Sequence, residues 1–444
     1  MTVRIANCGA FWGDDPRAPR HTLSHATDLD YLTMDYLAEV TMTVLARQEE
    51  SDPDRGYART FEKTVSELLP DIVEADVTIV ANAGGTNPAA CQRAVFNIAE
   101  EAGVDLEVGL VDGDDFSDRI DDFDHDQLQH AYKDVPLPRD AEVLSANAYF
   151  GALPIADALD EGADIVVTGR VIDAAMTMGP LIHEFDWPPG DYDRLARGMM
   201  AGHVIECGTQ ATGGNYLGEW RDVEFENIGF PIAEVSDDGR TEFTKPSGTG
   251  GKVTVGTIAE QLLYETGDPK NYEGPDVCAD FQDVSLEAVG TDRVRIIGVE
   301  GEAPSPMYKA SLHYQDGYQV TGALVYSRPN PREKAERFAK SVQRRADTEH
   351  IDVREYVVEY LGEDALHRTG GGDPEEVAVR IGAKTDSKKA AHRFSGLYAA
   401  MAMSGPPSAT MLTEGRPKPS PNYVYHPVLV PKNEFEPQTE VVST

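Results

Sequence analysis

The residues best suited to chemistry in this chain are amides, acids and one arginine that follow short apolar runs. Asn7, Asp35, Asn82, Asp112, Asn147 and Arg170 each stand at or just past the end of such a run. Ligands bind at the carboxyl ends of strands in parallel sheets and barrels, so these six positions define one candidate active face. Asp35 and Glu39 lie four residues apart, a spacing that suits a divalent cation such as Mg²⁺ or an acid–base pair. The competing reading is two acids offsetting the dipole of a helix N-terminus. Asp112 is the second candidate for metal ligand or general base, with Asp114 and Asp115 available to cap the helix that follows. Arg170 can grip an anion with two parallel N–H bonds, and Asp173 follows it on the same loop. His203 and Glu206 share one helical face and could act as a ligand or proton-transfer pair. No HEXXH motif accompanies them, and a hydrogen-bonded structural histidine is the alternative.

Two glycine loops add candidate anion sites. Asn82, Gly84, Gly85, Thr86 and Asn87 precede Pro88, which suits the first turn of a helix. Such a loop can direct N–H groups at an anion, although a plain turn would use the same residues. Lys245, Gly248, Gly250, Gly251 and Lys252 form the second loop. Val253 stands where a Walker A loop needs Ser or Thr, so no NTPase follows, but the flanking lysines could hold an anionic group. The early turn GAFWGDD is not GxGxxG; it is either a ligand-approaching loop or an ordinary βα turn.

Strand-like segments must position these groups. Arg4–Cys8, Asp30–Tyr36, Val77–Ala81, Leu106–Val111, the run from Val143 and Ile165–Val167 alternate with helical segments. Between the last two, Pro154, Ile155, Leu159 and Gly162 supply a helix start, one apolar face and a stop. The pattern predicts an α/β fold with a parallel sheet of about six βα units. A doubly wound sheet is expected, with a partial barrel as the alternative. From Gly218 the segments read as antiparallel, with Asp237-Asp238-Gly239 as a hairpin turn, Thr257 and Glu260 as a capping box, and helices at Pro331–Arg345 and Lys388–Met403. The expected divisions are 1–217, 218–330, 331–432 and a disordered tail at 433–444.

With 77 acidic against 39 basic side chains, the formal charge is −38. The acids are dispersed along the chain, which reads as a halophilic surface and argues against nucleic-acid binding. Cys8, Cys91, Cys207 and Cys278 are scattered with no CxxC pair, as expected for a cytoplasmic protein without a disulfide framework. No signal-peptide pattern or membrane-length apolar run is read, and a homo-oligomer is expected.

The motifs FWGDD, DYLAEVTM at 35–42, ANAGGTNP at 81–88, SANAYFGALPIADAL, DIVVTGRVIDAA, KPSGTGG and SGPP resemble those of the acyclic terpene utilisation AtuA family, in order over nearly the whole chain. With its dispersed acids the chain is similar to a haloarchaeal-type member. The resemblance implies catabolism of acyclic terpenoid or branched acids through acyl-CoA intermediates, but carries no agreed catalytic residues. Longer members add a C-terminal ferredoxin-fold module, so a small companion subunit is expected here. The functional expectation is an enzyme acting on a carboxylic acid or CoA thioester by hydratase or lyase chemistry, with Asp35 or Asp112 as base. The alternative is a non-catalytic metabolite-binding or complex-forming subunit.

Overall fold

The computed structural model describes residues 1–125, 128–363, 365–366, 372, 374–412 and 415–444. They form two units, one of residues 1–138, 143–312 and 425–444, the other of residues 139–142 and 313–424.

In the first unit the apolar runs become β1 (Thr2–Asn7), β2 (Tyr31–Met34), β3 (Thr78–Ala81), β4 (Glu107–Asp112), β5 (Val143–Ala148) and β6 (Ile165–Thr168). The intervening helices are α1 (Ala18–His25), α2 (Glu39–Ser51), α3 (Thr60–Ala75), α4 (Pro88–Ala102) and α5 (Leu153–Asp160), with α6 (Ala175–Phe185) and α7 (Tyr192–Glu206) following β6. The strands β1, β2, β3, β6 and β4 lie side by side in that order, and all four pairings are parallel. Alternate residues divide the burial between the two faces. Ala6, Leu32, Ile79 and Ile165 join the core built with Phe61, Val65 and Leu69 of α3 and Val95 of α4. On the other face the hydroxyl of Tyr31 reaches Glu184 of α6 at 2.7 Å.

The parallel core is therefore five strands, and β5 is outside it. It pairs instead with the long strand Met307–Ser327, and its Asn147 bridges Asp115. The expected β5–α5–β6 crossover is in fact a crossover from β4, with α5 packed against β4 and β6. The sheet is open and mixed. β7 (Ile232–Ser236) pairs antiparallel with β1, and β8 (Thr241–Thr244) with β7.

Beyond α8 (Val255–Leu263), a small sheet forms from β9 (Tyr272–Glu273), β10 (Cys278–Asp280) and β13 (Glu300–Glu302), while β11 (Ser285–Gly290) and β12 (Arg293–Ile297) extend the large sheet. Helix α8 is capped by Thr254 and Thr257 rather than Thr257 and Glu260. Residues 218–312 thus complete the first unit instead of forming a region of their own.

The second unit takes the greater part of β14 (Met307–Ser327), which runs unbroken through Asp316 and Gly317. With α9 (Pro331–Thr348), β15 (Glu355–Leu361), β16 (Glu376–Thr385) and α10 (Lys388–Ser404), it makes an antiparallel sheet ordered β15-β16-β14-β17, where β17 is Ala409–Met411. Phe338, Val342, Phe394 and Tyr398 of the helices cover the sheet residues Val320, Leu324, Val379 and Ile381. β18 (Ser420–Pro431) leads back to the first unit. The tail expected to be disordered is β19 (Gln438–Ser443), an antiparallel partner of β4. Its TEVV alternation is short, and only the unpaired edge of β4 gives it a partner.

Candidate active site

The carboxyl ends of the parallel strands bring several of the expected residues together. Asn7, buried as the last residue of β1, donates to the carbonyls of Gly9, Ile205 and Glu206, and its Oδ1 accepts from Thr33. Asp35, past β2, accepts through Oδ1 from Asn82 at 2.7 Å and from the N–H of Leu37 at 3.0 Å. Asn82 in turn accepts from the Tyr36 N–H. Arg170, past β6 and 3 % exposed, donates to the carbonyl of Leu37 at 2.8 Å and to Asp173 at 3.1 Å. Its Nε has no hydrogen-bond partner among the described residues although it is buried.

Past β4 the buried acid is Asp114, not Asp112. Asp114 accepts from Asn147 at 2.8 Å and from the Arg170 N–H at 3.1 Å. Asp112 takes only the N–H of Gly113, and it makes no contact with Asp35 among the described residues. Asp115 caps the next turn through the Ser117 N–H. Gly113, with φ +99°, swings the chain so that Asp114 turns inward and Asp112 does not, which spacing alone cannot reveal.

Of these groups Arg170 and Asp173 line a cavity of about 520 Å³, with Glu39, Tyr149, Glu206, Tyr272 and Lys309 among the other lining residues. The Tyr149 ring lies between two cations, with the Arg170 guanidinium 4.2 Å and the Lys309 ammonium 4.8 Å from its centre. Glu39 begins α2 and stands 3.4 Å from the Tyr149 hydroxyl. Burial works to raise its pKa, but Arg170, Lys309 and hydrogen bonds together hold it below the ordinary range. Asp173 moves the other way. Burial and the charge of Glu39 raise it despite the Arg170 pair. Burial, reinforced by Asp173, raises Asp35 well above the usual carboxylate range.

Glu206 and His203 end α7, with Glu206 Oε1 3.0 Å from Nδ1 of His203. The Tyr272 hydroxyl is 3.1 Å from the same nitrogen. The other nitrogen, Nε2, faces the Leu262 carbonyl at 3.2 Å, so it carries a proton. Burial raises Glu206 to about 7 against the opposing pull of His203. Desolvation lowers His203, but Glu206 reverses this and leaves its pKa raised.

The glycine loops are packed from within. The N–H groups of Gly84, Thr86 and Asn87 donate to Thr168, Gly56 and Gly84, and Asn87 caps α4 through the Ala90 N–H. Gly85, at φ +57°, sits where a Cβ would be 2.3 Å from Leu45. In the second loop Gly250, Gly251 and Lys252 donate backbone N–H groups to Asn227, Glu224 and Thr212. Lys245 bonds the Thr249 carbonyl and pairs with Asp292, while Lys252 reaches the Glu219 carbonyl. Gly248 faces open space. Neither loop lines the polar cavity, and among the described residues no group of three or more His, Cys, Asp or Glu side chains is arranged to hold a metal.

Tyr149, Lys309, Tyr272 and Asp114 were not singled out as site residues. The scarcity of lysine could have drawn attention to Lys309, and Tyr149 lies inside the SANAYFGA motif. Tyr272 carries no sequence signal.

The fold and site define an α/β protein with a mixed sheet and a polar, acid-rich cavity at the carboxyl ends of its parallel strands. The chain belongs to the acyclic terpene utilisation family AtuA, whose profile matches residues 3–441, and membership carries a role in acyclic terpene utilisation. Searches of curated proteins and of solved structures found no match. No helix among the described residues is long and apolar enough to cross a membrane.

Proposed function

We propose that the chain is a cytoplasmic enzyme of acyclic terpenoid or branched-acid catabolism that adds or removes water next to a carboxylate or CoA thioester. The observation that carries this reading is Tyr149 held between Arg170 and Lys309, with Glu206 and Asp173 on the same cavity. The two cations would bind the substrate carboxylate or the oxygen of a developing enolate, where charge in a desolvated site counts most.

Glu206, with a pKa of about 7, is divided between acid and base near neutrality. In dehydration its carboxylate takes the proton from the carbon next to the carbonyl. The electron pair forms the new double bond, the carbon–oxygen bond breaks, and Asp173 protonates the departing hydroxide to give water. Hydration is the reverse. This assigns the base role to Glu206, because neither Asp35 nor Asp112 lines the cavity. A divalent cation and a small companion subunit belong to the same reading as additions to be tested.

Turnover of branched β-hydroxy acids and their CoA thioesters, followed in molar KCl by absorbance of the conjugated product with and without Mg²⁺, tests the proposal. Glu206→Gln should lower kcat by roughly 10²–10⁴-fold, the range for a positioned acid–base group. Lys309→Ala should raise KM more than it lowers kcat. Ligand-induced stabilisation without turnover would favour the metabolite-binding alternative, and neither effect with any acid would sink the proposal.

A further inference from the structure

The polar cavity carries different charge at its mouth and in its interior. Every charged lining residue that is exposed is an acid: Glu265, Asp268 and Glu273, all on the segment that runs from the end of α8 into β9. None of the three is ion-paired among the described residues, so no base offsets their charge. Their loop is fixed from within. The Asn271 N–H donates to the Asp268 carbonyl at 3.0 Å, and the Phe281 N–H to the Pro269 carbonyl at 2.7 Å. The Cys278 thiol donates to Oδ1 of Asn271 at 3.0 Å.

The two lining bases lie deeper, Arg170 buried and Lys309 half-buried, both against the Tyr149 ring. Arg170 is committed to the Leu37 carbonyl and to Asp173. Lys309 has no ion pair among the described residues and is left to meet a carboxylate.

We infer that the substrate enters as a free carboxylic acid and not as its CoA thioester, with Glu265, Asp268 and Glu273 selecting against the thioester. This rests on the polar cavity being the reaction site and names the substrate class it accepts. A cavity of about 520 Å³ takes a small branched acid. The nucleotide of CoA does not fit beside an acyl group there and would lie at the mouth. Its phosphates carry about four negative charges near neutrality, which the three carboxylates repel. The net charge of −38 adds to the same field. A phosphate site needs bases or free N–H groups. Here the N–H groups of Gly84, Gly250 and Gly251 are taken by backbone carbonyls, and neither glycine loop lines the cavity. An acid with a single charge meets far less repulsion, and Lys309 offsets it inside.

Calorimetric titration with 3-methylbutanoate and with its CoA thioester tests the inference. In 0.1 M KCl the free acid should bind at least about tenfold more tightly. Screening shortens the reach of the mouth charges from about 10 Å at 0.1 M to about 3 Å at 1 M salt, so the ratio should fall at least about threefold. Glu265→Gln, Asp268→Asn and Glu273→Gln combined should lower it as far in 0.1 M KCl. The salt series on the natural protein decides if that variant folds poorly. Lys309→Ala should weaken the acid at least about tenfold. A thioester that binds as tightly as the acid, a ratio unmoved by salt and by the triple variant, or absence of acid binding would each overturn the inference. Tight binding and turnover of the thioester would leave the reaction assigned to the cavity intact. Acid binding without turnover would remove that reaction and leave the selectivity standing, so the two failures are distinguishable.

Discussion

The carboxylate of Glu206 and the imidazole of His203 share one hydrogen bond of 3.0 Å between Oε1 and Nδ1, while the Leu262 carbonyl fixes the proton on Nε2. Only one further proton can therefore reside between them. The pair titrates as a unit, and the cavity meets a group that can give or take that proton near neutral pH.

Stability should report this directly. Glu206 is raised from 4.5 to about 7 by folding, so the folded state holds a proton that the unfolded chain has released. Stability from this group is present at pH below 4.5 and is lost as pH rises to about 7. The shift corresponds to an upper bound of ~3 kcal/mol at 1.36 kcal/mol per unit. Urea unfolding at several pH values should show a shallower decline over this window for Glu206→Gln than for the natural protein. Equal slopes would mean that Glu206 keeps an ordinary pKa.

Asp114 gives a second titration at higher pH. Burial raises it to about 8, with Asn147 and the Arg170 N–H opposing. Its stabilising proton is likewise lost as pH rises from 3.8 through about 8. Asp114→Asn should keep the fold and remove the part of that loss between neutrality and pH 9. A variant that unfolds at every pH would show instead that the carboxylate is required in its ionised form.

Gly84 and Gly248 should differ sharply when each is changed to Ala. At Gly84 a Cβ would stand 2.5 Å from the Thr168 carbonyl oxygen and 2.5 Å from Pro88 Cβ, neither of which can rotate away. A loss of about 1–3 kcal/mol is expected for such overpacking. At Gly248, with φ +77°, nothing lies within 4 Å, so only backbone strain of roughly 1–2 kcal/mol applies. Denaturation midpoints compare them, and Gly84→Ala should also weaken ligand binding because Thr168, which ends β6, lies two residues before Arg170.

Salt should stabilise the natural protein. A net charge of −38 repels itself, and the screening length falls from about 10 Å at 0.1 M to about 3 Å at 1 M salt. Tm should rise steadily from 0.1 to 2 M KCl. A flat or falling profile would remove the argument for salt adaptation.

The parallel segments were legible because burial on both faces demands apolar runs, as at β1, β3 and β6. The run into Asn147 looked the same over its first residues, yet β5 lies outside the large sheet and pairs with β14. Nothing local distinguishes the two, since sheet membership is a long-range pairing. The site was legible where polar residues end buried strands: Asp35, Asn82 and Arg170 meet around Leu37. Asp112 and Asp114 could not be ranked, because the turn at Gly113 decides which acid points inward.

By itself the sequence determined the family, the α/β class, the acidic surface and most of the polar residues at the strand ends, because each depends on residue type and local periodicity. Tertiary structure alone decided that β19 closes the sheet edge, that Gly84, Thr86, Gly250 and Gly251 direct their N–H groups at backbone carbonyls, and that Lys309 and Arg170 flank Tyr149. Those contacts join residues up to hundreds of positions apart, and only the packed fold sets their distance and their dielectric surroundings.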